Sequence, residues 1–198
     1  FVTQWFRDRL LETFLYVQLI VGMIGGLSSL ILFYAFAQNS SITPFVIGIT
    51  AVCGLLVGTE IPLVLRILKD HSTLRVNVAQ VFTLDYLGAL VASISFPFLI
   101  LPHLGLVRSA VFVGMVNISV SAVGSLLFWQ SIKGKLTLCI ANLTGFCVLL
   151  FVFVGAPSAT RWIEDKMYQD EIILAVDSPY QRIVVTRWQN DYRLFLNG

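Results

Sequence analysis

Two carboxylates stand where so apolar a sequence seldom carries charge. Glu60 and Asp85 each sit inside an apolar run long enough to cross a bilayer. A charged side chain at membrane depth costs roughly 2.5–3.5 kcal/mol on insertion scales, so it is usually paired, solvated or used. Two carboxylates close together in a low dielectric share a proton or hold a cation. Glu60 lies six residues before Arg66, and Asp85 seven residues after Val78, on either side of a short polar loop. At 1.5 Å per residue each acid is about 10 Å in from that loop. Runs joined so briefly are antiparallel neighbours, so the acids sit at similar depth and can face one another. Pro62, two residues past Glu60, frees a carbonyl one turn back. Glu60, Asp85 and Arg66 are therefore the candidate intramembrane polar site, for a small cation or a proton. The plainer reading pairs each acid locally, with Arg66, Arg75 or a backbone group.

Other chemistry is thinly represented. His71 and His103 are the only histidines, and they fall at opposite ends of the predicted spans, which argues against haem ligation. Cys53, Cys139 and Cys147 lie in apolar runs without CxxC spacing and read as small buried hydrophobes. No Ser-His-Asp or metal-ligand spacing stands out, so neither a catalytic residue nor a metal ligand is expected. A net charge of +2 with dispersed basic residues argues against nucleic acid as a partner.

The elements that hold these residues follow from hydropathy. The 198 residues are 57% hydrophobic and 12% charged, about half the charge of a soluble domain. Mean hydropathy is +0.85. After a charged, amphipathic lead-in over 1–12 come five apolar spans, at about 13–37, 44–66, 79–101, 107–130 and 136–156. Each approaches the ~20 residues a bilayer requires. Small-residue rows mark helix contacts: Gly22 and Gly26, Gly54 and Gly58, and Gly88, Ala92 and Ser95. Asn117, Ser121 and Ser125 give the fourth span a polar seam. Pro97 is expected to bend the third span and Pro102 to end it.

Loop charge predicts orientation. Arg7, Arg9, Arg66, Lys69, Arg75, Lys133 and Lys135 fall on one face, and Arg108 alone on the other. The first face is then cytoplasmic and the C-terminal segment emerges outside. The chain opens on Phe1 rather than Met, and residues are expected upstream.

Beyond Pro157 the composition changes. Residues 157–170 read as an interfacial linker helix with Trp162 and Tyr168 at headgroup level. Residues 171–198 read as a β-meander: strands over Ile172–Val176, Gln181–Trp188 and Tyr192–Leu196, with turns at Asp177-Ser178-Pro179 and Gln189-Asn190-Asp191. Three such strands cannot build a core of their own. The fold class is thus an all-α polytopic membrane bundle of at least five transmembrane helices, followed by a short C-terminal β-meander.

The run Ser178-Pro179-Tyr180-Gln181-Arg182-Ile183-Val184-Val185, with Leu194-Phe195-Leu196-Asn197-Gly198, resembles the opening strands of the spermidine synthase family, the polyamine aminopropyltransferases. Glu60-Ile61-Pro62-Leu63, Asp85-Tyr86-Leu87-Gly88-Ala89-Leu90, Phe96-Pro97 and Leu104-Gly105-Leu106 resemble the membrane-embedded bacterial members. The resemblance implies the bacterial inner membrane, and a Rossmann-like catalytic domain after the strands that takes decarboxylated S-adenosylmethionine. It implies cofactor contact for Gln181, which otherwise reads as an ordinary strand residue. No G-x-G-x-x-G follows a strand in this sequence. These residues are therefore expected to anchor or introduce a synthase domain rather than to catalyse aminopropyl transfer. A cytosolic nucleoside substrate conflicts with the outward C-terminal segment that loop charge predicts. Two other readings stand beside this one: a polyamine or proton site at Glu60 and Asp85, and an accessory subunit whose small-residue faces bind other membrane subunits.

Overall fold

The computed structural model describes residues 9–38, 41–69, 73–168, 170–178 and 181–196. Helix α1 covers Leu10–Ala37, α2 Thr43–Ile67, α3 Leu74–Ser95, α4 Leu101–Leu127 and α5 Lys135–Tyr168. Strands β1 (Glu171–Asp177), β2 (Arg182–Trp188) and β3 (Asp191–Leu196) form one antiparallel sheet in the order β1-β2-β3. The chain is mostly helical, with the sheet at its C-terminal end.

Among the described residues the five separate spans expected are not found. Four helical stretches are long and apolar enough to cross a membrane by length and composition: Leu10–Ala37, Thr43–Ile67, Arg75–Leu127 and Lys135–Glu164. The expected third and fourth spans run on as one stretch because neither proline ends a helix. A π-helical turn, Phe96–Ile100, contains Pro97; its wider ring accommodates the missing donor. Pro102 stands at the start of α4, directly after that turn, and does not end the helix either. The break comes at Gly105, with φ 72° and ψ 172°, a conformation costly for any residue with a Cβ. Phe96 shares a cavity wall with Leu106, Ala110 and Val113, on the far side of that break. At the C-terminal end, α5 passes through Pro157 without a break. The linker helix expected over 157–170 is therefore, as far as Tyr168, a continuation of α5 and not a separate element. α1 begins at Leu10, inside the expected lead-in, and residues 1–8 lie outside the described residues.

The core is built around α1, which packs on α4, α2 and α5, while α4 also packs on α5. Leu19, Val111, Ile118 and Leu149 are buried together at the α1–α4–α5 junction. Val17 and Val21 are buried against Leu63 of α2. The closest approach is between glycines. A Cβ on Gly22 would come 2.7 Å from the Gly114 carbonyl oxygen, and one on Gly114 would come 2.8 Å from the Gly26 Cα. Ser121 Oγ reinforces that contact by donating to the Leu15 carbonyl at 2.8 Å, and Asn142 Nδ2 ties α5 to α4 by donating to Ser125 Oγ at 3.2 Å.

The other two small-residue rows are not used in this way. Among the described residues nothing lies within 4 Å of a Cβ built on Gly54, Gly58 or Gly88. Leu84 on α3 is 70% exposed, and Tyr86, Leu87, Leu90 and Val91 are exposed beside it. A small-residue row becomes a contact only when another helix offers a matching gap, as Gly114 does. The sheet turns Val184 and Thr186 inward, both buried, while Tyr192 and Leu194 on β3 are exposed.

Candidate functional site

Leu56, Glu60 and Leu63 recur at helical spacing, so one face of α2 carries all three. Leu63 is buried against Val17 and Val21 of α1, with Leu56 packed beside it. That face carries Glu60 to α1, where the side-chain amide of Gln18 hydrogen-bonds its carboxyl. Gln18 is buried and Glu60 half-buried. Asp85, on α3, is exposed, and its charge reaches the Glu60 carboxyl. Asn77 fixes the approach of α2 and α3: its Nδ2 donates to the Leu68 carbonyl at 2.8 Å, at the C-terminal end of α2. Arg66 is half-buried, six residues beyond Glu60 toward that loop.

The structure thus brings Gln18 to Glu60 and leaves Asp85 exposed on the neighbouring α3, so the polar cluster has one half-buried carboxyl, one amide and one outward carboxyl. Such a set suits a proton or a compact cation. Sequence reasoning missed Gln18. The available signal was an uncharged amide inside the first apolar span, one residue from the face that meets α2.

Gln181 lies at the other end of the bundle and does not join this cluster. It precedes β2 instead of lying in it, because Ser178 closes a turn around it. Ser178 N donates to the Gln181 carbonyl at 2.9 Å, and Gln181 N donates to Ser178 Oγ at 3.0 Å. The intervening Pro179 and Tyr180 lie outside the described residues. The residue after it, Arg182, pairs with Glu164 of α5 through Nε and Oε1 at 2.5 Å. Glu164 is 1% exposed. A carboxylate buried so fully requires a partner, and the pair ties the sheet to the helices. Asp170 works alongside, accepting from Arg193 Nη1 at 3.2 Å and from Thr186 Oγ1 at 3.4 Å. Tyr168 packs against Phe195 with ring centroids 4.8 Å apart and planes tilted by 52°. Burial there, and then the charge of Glu164, push its phenol above the usual tyrosine range, against the opposing pull of Arg182.

A second missed acid is Glu12. It is buried, and its carboxylate accepts from the amides of Lys133 and of Gly134, the latter at 3.1 Å, just ahead of α5. His103 is exposed, with Nδ1 2.7 Å from the Leu99 carbonyl, and His71 lies outside the described residues. Cys139 and Cys147 are exposed and Cys53 is half-buried, so the expectation of buried thiols is corrected. The helices place those two cysteines on outward faces.

No protein-family model matches the chain, and no solved structure does. Curated relatives match it along its length. It is 37% identical over 197 residues to the polyamine aminopropyltransferase of Leptospira interrogans, covering 100% of this chain and 40% of the relative. Polyamine aminopropyltransferase 2 of Ralstonia nicotianae is 40% identical over 96% of this chain and 39% of its own length. The polyamine aminopropyltransferase of Oceanobacillus iheyensis is 33% identical over 100% of this chain and 39% of its own. The chain thus spans about 40% of the length of the relatives it matches.

Proposed function

We propose that these residues are the membrane-anchoring part and opening β strands of a polyamine aminopropyltransferase, and are not catalytic by themselves. The observation that carries this reading is full-length similarity to proteins of that name, of which the chain spans 40%. Four stretches with the length and apolarity of membrane spans support the anchor. In this reading the protein is multi-pass in the bacterial inner membrane, and the lipid bilayer covers its apolar flanks. The exposed face of α3 packs against further helices, of the same protein or of other membrane subunits. A synthase domain takes decarboxylated S-adenosylmethionine, and Gln181 is the one residue here offered as a contact to it.

The test is to purify the native protein from membranes and measure its intact mass and its transfer of an aminopropyl group to a diamine. A mass well above 22.0 kDa with aminopropyl transfer is expected. A native mass near that value with no transfer overturns the reading.

The polar cluster supports a second role. Glu60, held by Gln18 and within reach of the Asp85 charge, is suited to bind a polyamine or a proton. Polyamine binding by a Glu60→Gln, Asp85→Asn variant that equals wild type would sink this role.

A further inference from the structure

A cavity of about 300 Å³ opens where α4, α5 and the sheet converge. Its wall includes Arg108, Arg161, Arg182, Glu164, Gly105 and Phe33. That volume is at the small end of ligand pockets, which run from ~300 to ~1,000 Å³. Its charge is one-sided: three guanidinium groups face one carboxylate. Arg182 neutralises that carboxylate, Glu164, at 2.5 Å. Neither Arg108 nor Arg161 has a carboxylate partner among the described residues. Arg108 is held in place: its Nε donates to the Phe153 carbonyl at 3.1 Å, and its Cζ lies 5.2 Å from the Phe153 ring centroid. Its two Nη groups remain for a ligand, while Arg161 stands exposed at the rim.

We infer that this cavity binds a phosphate group, gripped by Arg108 and Arg161 beside the neutralised Arg182–Glu164 pair. A planar guanidinium presents paired donors that match a phosphate or carboxylate, and tetrahedral phosphate oxygens serve two such forks at once. Packing on an aromatic ring and a backbone bond through Nε pre-orient the fork of Arg108, so little freedom is lost on binding. Trp162, next to Arg161 and half-exposed, is the residue type found at headgroup level. The phosphate comes either from an anionic phospholipid or from a soluble phosphorylated compound. The lipid source rests on the membrane-anchor reading above, and the soluble source does not.

The experiment uses the whole native protein and two variants, Arg161→Gln and Arg108→Gln. Arg161→Gln changes an exposed side chain and keeps the test independent of folding should loss of the Phe153 bond unfold the other. Mass spectrometry counts phosphatidylglycerol and phosphatidylcholine retained from mixed nanodiscs, and thermal unfolding in neutral detergent is followed with added inorganic phosphate. Preferential retention of phosphatidylglycerol, reduced roughly tenfold by either folded variant, supports the site and identifies a lipid source. Stabilisation by inorganic phosphate that the variants lose, without lipid preference, supports the site and identifies a soluble source. Neither effect in wild type, or effects unchanged in a folded variant, overturns the inference whether or not the protein proves to be an anchored aminopropyltransferase.

Discussion

At the scale of single residues, the acids divide by what they touch. Glu12 is buried because two backbone amides require an acceptor ahead of α5. Hydrogen bonds to a charged group contribute about 1.5–3 kcal/mol, so Glu12→Ala is expected to lower stability by about 2 kcal/mol. Glu12→Gln, which keeps an acceptor oxygen, loses less; thermal unfolding of the two variants checks the order. Tyr168 provides a pH test. Its raised folded value means that the neutral phenol is the form the fold favours. The contribution is complete below the ordinary tyrosine value of about 10 and declines as pH rises through the folded value, because the unfolded chain loses the proton first. Wild type should therefore weaken above about pH 10 more steeply than Tyr168→Phe, and unfolding curves on either side of that pH decide the matter.

At the scale of elements, the glycines separate used contacts from unused ones. Alanine at Gly114 meets backbone atoms of Gly22 and Gly26, which cannot swing aside as a side chain can. The two helices must part, at about 1–3 kcal/mol by analogy with overpacked cores. Alanine at Gly54 enters open space among the described residues and raises helix propensity by up to about 1 kcal/mol. Gly114→Ala is thus expected to destabilise the protein and Gly54→Ala to leave it unchanged or improve it. Detergent-solubilised thermal melts of both variants measure this directly. Equal melting points would mean that α1 and α4 do not meet as described.

At the scale of the molecule, one buried ion pair joins helices to sheet. Removing Arg182 leaves Glu164 buried without its guanidinium, which costs about 3 kcal/mol when a buried pair is broken from one side. Arg182→Met should raise amide hydrogen exchange throughout β2 while sparing the α1–α4 contact, because few other contacts link the sheet to the bundle. Uniform exchange across both regions would instead show a single cooperative unit.

Apolar length is a local property, so hydropathy alone marked the first two long apolar helices: 13–37 against Leu10–Ala37, and 44–66 against Thr43–Ile67. The three strands were legible for the same reason, since alternation and turn residues act over a few positions; they are found at Glu171–Asp177, Arg182–Trp188 and Asp191–Leu196. Glu60 and Asp85 drew attention because charge is conspicuous in an apolar run. What adjoins them was not legible. Gln18 reaches Glu60 only because α1 crosses α2 with Val17 and Val21 against Leu63. The break falls at Gly105 and not at Pro102 because only a glycine tolerates φ 72° cheaply. The sequence by itself determined where backbone must bond to itself along apolar stretches, because that depends on neighbours in the chain. Tertiary structure decided which glycines meet, which acids are buried and which arginines share a cavity, because each depends on a surface that a distant segment supplies.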